Sequence, residues 1–237
     1  MSIGIIANIF AVVAGGICGT LAGKHLPEKL KQVLPMSFSL AAMAMGINAI
    51  TKMHSMPAVI LSLILGTVIG SLCGVERRIR VVGEKAAALF VKGLHTGESE
   101  KKRYLELFSI AVILFCGSAT GIYGALESAM SGNDSILLSK SFLDLFTAAI
   151  FAATLGMAVA ALAIPMLAIY LVLYLSAGLV VPLASPAMFA DFSSCGGLLI
   201  LATGFRMAEI KIFHVADMTP ALLLVMPVSY AWSLLPL

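Results

Sequence analysis

The chain has 237 residues, 60% of them hydrophobic and only 11% charged, with a formal net charge of +3 and a mean hydropathy of +1.05. Soluble domains carry roughly 45–50% apolar and about 25% charged residues. The composition therefore excludes a soluble enzyme and a nucleic-acid-binding module, and leaves an all-α polytopic membrane protein whose first partner is the lipid bilayer.

In chain order, the N-terminal run "MSIGIIANIFAVVAGGICGTLAGK" has no basic residue before Lys24. It reads as a retained first helix rather than a cleaved leader. Spans of about 20 apolar residues then divide the chain into eight transmembrane helices. They run from about Ile3 to Gly23, Met36 to Thr51, Pro57 to Val75, Leu107 to Leu126, Ser141 to Ile164, Pro165 to Ser185, Phe192 to Phe205 and Met218 to Leu235. The second and seventh are short, which suggests broken or re-entrant helices. The uncharged run from Leu145 to Ala190 is too long for one crossing. Pro165, which lacks an N–H and disfavours helix in the residue before it, is the expected division.

Charge orients these spans. With the linker 76–106 on the cytoplasmic side, thirteen of the fifteen Lys and Arg residues fall inside, leaving Lys52 and Lys140 outside. This distribution predicts a multi-pass protein of a bacterial inner membrane with both termini outside the cytoplasm. In the linker, Val81, Val82, Ala86, Leu89 and Phe90 interleave with basic residues, a pattern suited to a helix lying on anionic lipid or to a solvated connector. The organisation is thus a three-span unit (1–75), the basic linker (76–106), a central two-span unit with a polar loop (107–164) and a last three-span unit (165–237).

The first and last units carry similar punctuation. Gly23 and Pro27 match Gly178 and Pro182, Met45-Gly46 matches Thr203-Gly204, and "MPAVIL" matches "TPALLL". An offset of five spans gives the two units opposite orientations, so an inverted repeat of three-helix units is expected. Gly15, Gly19 and Gly23 in the first span, and Gly66, Gly70 and Gly74 in the third, recur every four residues. Such faces let helix backbones approach closely, within the bundle or between subunits. A homo-oligomer using one of them is expected.

The polar residues inside this apolar chain are the candidate site. Asp144 precedes the long uncharged run, and Lys140 lies one helical turn earlier on the same face. Intramembrane carboxylates are costly and mark ion or proton pathways. The Gly-, Ser- and Thr-rich segment Gly117–Gly124 can open its backbone to a solute, so Ser118 and Thr120 join the pair. Glu127 belongs to an expected outside loop with Asn133 and Asp134, close to the same entrance. Secondary candidates are Asn8 and Asn48, as interhelical glue or cavity lining, and Asp191, as an N-cap of the seventh span. The four cysteines and four histidines show no metal or redox spacing, so no metal, cofactor or disulfide framework is expected. Nucleotide-binding and familiar hydrolase motifs are absent from the sequence, so no enzymatic activity is expected.

The blocks "FCGSATGIYGALESAMSGNDSILLSKSFLDLFTAAIFAATLGMAVA" and "ADFSSCGGLLILATGFRMAEIKIFHVADMTPALLL" resemble the bacterial inner-membrane family that includes YqgA and YdfK, across nearly the whole chain. The resemblance implies location and polytopic architecture, and no residue roles. The residues point to a secondary transporter or channel-like permease for a small solute or ion. A non-transporting membrane scaffold or regulatory subunit is the alternative.

Overall fold

The computed structural model describes residues 2–23, 27–91 and 98–235, and among these every regular element is a helix. Eight segments are long and apolar enough to cross a membrane. Helix α1 (Ile3–Ala22), α2 (Glu28–Ile50) and α3 (Met56–Cys73) form the first three spans. The linker folds as α4 (Val75–Val91), and α5 (Glu98–Cys116) with α6 (Ala119–Ser131) makes an interrupted fourth span. Helix α7 (Ser135–Leu155) is the fifth, and α8 (Ala158–Ala161) with α9 (Ala163–Val180) the sixth. Helix α10 (Pro186–Met207) is the seventh, and α11 (Val215–Met218) with α12 (Ala221–Ser233) the eighth.

Alternation of eight spans defines two ends, and cross-ties confirm them. At one end the Ser2 and Ser128 hydroxyls both donate to Asp134 Oδ1 at 2.6 Å. At the other, the N–H of Glu76, in the first turn of α4, donates to Asp217 Oδ1 at 2.8 Å. Large apolar side chains such as Leu21, Leu40 and Leu72 point away from the protein, as lipid-facing positions should. Two apolar cores lie side by side. One joins α1, α5, α7 and α9 around Phe108, Phe115 and Tyr170, and the other joins α6, α10 and α12 around Tyr123, Phe192 and Val225.

The glycine faces explain how the spans pack. A Cβ on Gly15 or Gly19 would overlap the backbone of Leu145 or Ala149 in α7, and one on Gly70 would overlap Asp217. Both faces are therefore spent inside the subunit, α1 on α7 and α3 on α11 and α12. Any association between copies would use other surfaces, which corrects the expectation that one of these faces is an interface.

Three further boundaries differ from the sequence reading. The chain reverses after α7 at Gly156, whose φ of +62° suits glycine, rather than at Pro165. That proline lies in the first turn of α9, where a missing N–H costs nothing. The seventh span is a full 22-residue helix, because Ser185 caps it by accepting from the Met188 N–H at 3.3 Å and Pro186 opens it. The second span is also unbroken, with Pro35 inside α2.

Candidate functional site

Helix α7 starts at Ser135, so Asp144 lies nine residues into it, about 14 Å along the axis at 1.5 Å per residue. The pair predicted near a membrane boundary is thus deep in the bundle, with Lys140 3% and Asp144 5% exposed. Lys140 Nζ donates to Asp144 Oδ2, the i,i+4 contact expected from their spacing. Asn8, fully buried on α1, donates through Nδ2 to the same oxygen at 2.9 Å, and the Tyr170 hydroxyl on α9 donates to Asn8 Oδ1 at 3.2 Å. The relay is therefore Tyr170 to Asn8 to Asp144, with Lys140 closing it. Tyr170 fits because Gly121 on α6 has no Cβ, and one added there would collide with the phenol oxygen.

The other predicted residues lie elsewhere. Ser118 is the N-cap residue of α6, at the break in the fourth span, and its side chain caps nothing. It lines a cavity of about 380 Å³ with Pro35, Phe38, Thr147, Thr203 and Arg206. Pro35 lies in the early part of α2, Thr147 late in α7, and Thr203 and Arg206 at the close of α10. The cavity thus occupies the half of the bundle nearer α4 and ends at the helix break. Entry from the opposite, Asp134 end was expected, so the side is corrected. Thr120 is buried two residues further on, in the first turn of α6. Asp144 is not part of the cavity wall, although Thr147, one turn on, is.

Glu127 is not in a loop. It is inside α6 and 5% exposed, since the helix runs on to Ser131 and only then turns at Gly132, with φ +72°. Its Oε1 meets Lys52 Nζ at 3.5 Å, while its Oε2 and the buried Tyr123 hydroxyl have no hydrogen-bond partner among the described residues. Asp191 does not cap the seventh span, whose N-cap is Ser185. It lies five residues into α10, where Oδ1 accepts from the N–H groups of His54 and Ser55, just before α3, at 2.9 and 2.6 Å and Oδ2 from the Ser229 hydroxyl at 2.6 Å. Asn48 is exposed at the end of α2. His25 and His95 lie outside the described residues.

At the α4 end a second polar cluster ties the last spans to α4. Arg206 Nη1 meets Glu76 Oε1 at 3.0 Å and donates to the Phe213 carbonyl at 3.2 Å. Ligand atoms of Glu76, His214 and Asp217 lie within 4.8 Å of one another. Arg206 already engages the Glu76 carboxylate and the Glu76 N–H already engages Asp217, so the group reads as an ion-paired tie. Nothing in the local sequence marks Glu76 as the partner of Arg206, because the contact crosses more than a hundred residues.

Outside the spans, Asp134 is the group whose titration the fold changes. Its partial burial pushes the carboxyl up, but the Ser128 and Ser2 hydroxyls and the Gly4 and Ile3 N–H groups together outweigh that and hold it below the ordinary carboxylate range.

Eight apolar spans, an interrupted helix ending in a cavity and a buried charge relay define an all-α multi-pass membrane protein. Residues 3–230 match the family described as "Protein of unknown function (DUF554)", and the chain belongs to that family. It is 44% identical over 233 residues to "Uncharacterized protein YqgA" of Escherichia coli (strain K12), covering 98% of each chain. It is 29% identical over 225 residues to "Uncharacterized membrane protein YdfK" of Bacillus subtilis (strain 168), covering 93% of each. No solved structure matches.

Proposed function

We propose that the protein is a permease, a secondary transporter or channel-like pathway, for a small solute or ion. The observation that carries this reading is the cavity of about 380 Å³ that ends at the Gly117–Ser118 break of the fourth span. Non-helical backbone at membrane depth is tolerated where it is buried in protein or lines a cavity, and discontinuous spans of this kind build solute sites in transporters. Gly117, Ser118 and Ala119, at the start of α6, line the space, and Thr147, Thr203, Arg206 and Glu209 add its other polar side chains. The Lys140–Asp144 relay lies one helical turn behind Thr147 and is the element placed to couple charge to movement.

Positive-inside counting makes the α4 end cytoplasmic, so the cavity is an inward-facing vestibule of an inner-membrane protein. An inverted repeat would relate span two to seven and three to eight, and the packing of α2 on α10 and of α3 on α12 is compatible with a two-fold axis between them. The internally paired state of Asp144 and Asp191 favours the second reading, a membrane scaffold or regulatory subunit without transport, in which these groups fix helix register.

The test is accessibility. With Cys18, Cys73, Cys116 and Cys195 replaced, single cysteines at Ser118 and Thr203 should react with a membrane-impermeant maleimide from the cytoplasmic side. A cysteine at Ser118 that no aqueous reagent reaches from either side, in protein that folds and inserts, would leave the scaffold reading.

A further inference from the structure

We propose that the arginine-lined pocket between α3, α4 and α5 is a seat for an anionic phospholipid, with the phosphate on the arginines and an acyl chain on the apolar wall. The pocket has a volume of about 950 Å³ and brings Arg77, Arg78 and Arg80 of α4 together with Leu72, Val82 and Ile110. Its place in the fold follows from local sequence. Helix α3 ends at Cys73, and Gly74, with φ +60°, turns the chain directly into α4. The three arginines therefore begin four residues after the last residue of a membrane span, at the depth where lipid headgroups lie.

Helix α4 is held against α5 by Gly83 on Val112 and by Ile79 on Gly117. That contact leaves the arginines on the remaining surface of α4, where all three are exposed. Among the described residues none of the three forms an ion pair. Two carboxylates also line the pocket, and both are already engaged, Glu76 by Arg206 and His214 and Asp217 by the Glu76 N–H. The unbalanced charge is thus positive.

The apolar side of the wall decides between a soluble anion and a lipid. Leu72 is 84%, Val82 64% and Ile110 46% exposed, all lining the same pocket as the arginines. These side chains face acyl chains in the membrane, so an anion carried on an acyl chain fits both parts of the wall, whereas a free phosphate meets the arginines alone. Basic pockets between helices on the cytoplasmic side bind anionic headgroups by this division of labour.

Native mass spectrometry of the detergent-purified protein, titrated with phosphatidylglycerol, with phosphatidylcholine of the same chains and with inorganic phosphate, tests the assignment. Phosphatidylglycerol should bind saturably, and each lost arginine should weaken it about fivefold, so Arg77→Gln/Arg78→Gln/Arg80→Gln should lose on the order of a hundredfold. The control Lys85→Gln/Lys102→Gln/Arg103→Gln removes the same charge from exposed positions outside the pocket and should change affinity by less than about fivefold. Equal binding of both lipids, inorganic phosphate binding as tightly as phosphatidylglycerol, or equal losses in the two triple variants would each overturn the proposal. These outcomes do not depend on transport and leave the permease reading to its own test.

Discussion

Replacing Asp144 by Asn separates the energetic role of the buried relay from any role in moving charge. The substitution keeps shape and removes the carboxylate that Lys140 Nζ and Asn8 Nδ2 both meet. The Lys140 side chain is 4% exposed, so the ammonium would be left buried without its counter-charge. Breaking one side of a buried pair costs about 3–5 kcal/mol. At roughly 2–4 °C per kcal/mol for a chain of this size, the midpoint of thermal unfolding should fall by about 6–20 °C. Removing both charges, as Lys140→Met/Asp144→Leu, should cost far less or even stabilise, since apolar replacement of a buried pair is often neutral or favourable. Asn8→Ala should lie between, at about 1.5–3 kcal/mol for one bond to a charged acceptor, and it also strips Tyr170 of its acceptor. Thermal unfolding in one mild detergent, followed by fluorescence and by loss of the monodisperse peak, ranks the four proteins. An Asp144→Asn protein as stable as the parent, or a double variant less stable than Asp144→Asn, would refute the reasoning.

Other outcomes follow from the packing and the turns. Gly19→Ala should destabilise the fold of the single subunit because its Cβ overlaps Ala149. Gly178→Ala, with nothing within 4 Å, should stabilise slightly, by about 0.5–1 kcal/mol; thermal midpoints of the two variants check both signs. Asp134 has its folded-state carboxyl held low, so its contribution is present above the ordinary carboxylate value of about 3.9 and is lost as pH falls through the folded value. Asp134→Asn should accordingly melt earlier than the parent at neutral pH, with the gap closing in acid; a gap that widens in acid would contradict the assignment. Single cysteines at Ser99 and Ser131 should be labelled from opposite sides of the membrane, the first from the cytoplasm, and labelling of both from one side would overturn the eight-span topology.

Hydropathy made the existence of eight spans legible, because each crossing requires a run of apolar residues whatever its neighbours are. Their ends were less legible. Pro165 is a strong local signal, yet a proline in the first turn of a helix is harmless, and the reversal belonged to Gly156, one glycine among 21. Glu127 looked like a loop residue because a carboxylate in a membrane span is expensive. It is tolerated there because Lys52, distant in sequence, reaches it. Asp191 read as a helix cap, yet it ties α10 to the turn before α3, since its partners, the His54 and Ser55 N–H groups, lie more than 130 residues away. Of the candidate site, the Lys140–Asp144 contact was readable from i,i+4 spacing alone. Tyr170 was not, because its role depends on the space that Gly121 leaves across a helix interface. The cavity, too, is a property of five spans at once and leaves no local pattern in the chain.

As a permease, the protein would pass its solute through the cavity below the Gly117–Ser118 break. Solid-supported-membrane electrophysiology on proteoliposomes, run across small anions, cations and neutral solutes, tests it most directly by comparing the parent with Thr203→Trp, which fills the cavity from α10. The parent should carry a solute-dependent current that Thr203→Trp abolishes while the variant still folds and inserts. A current of the same size in both proteins, or none in the parent for any solute class, would contradict it.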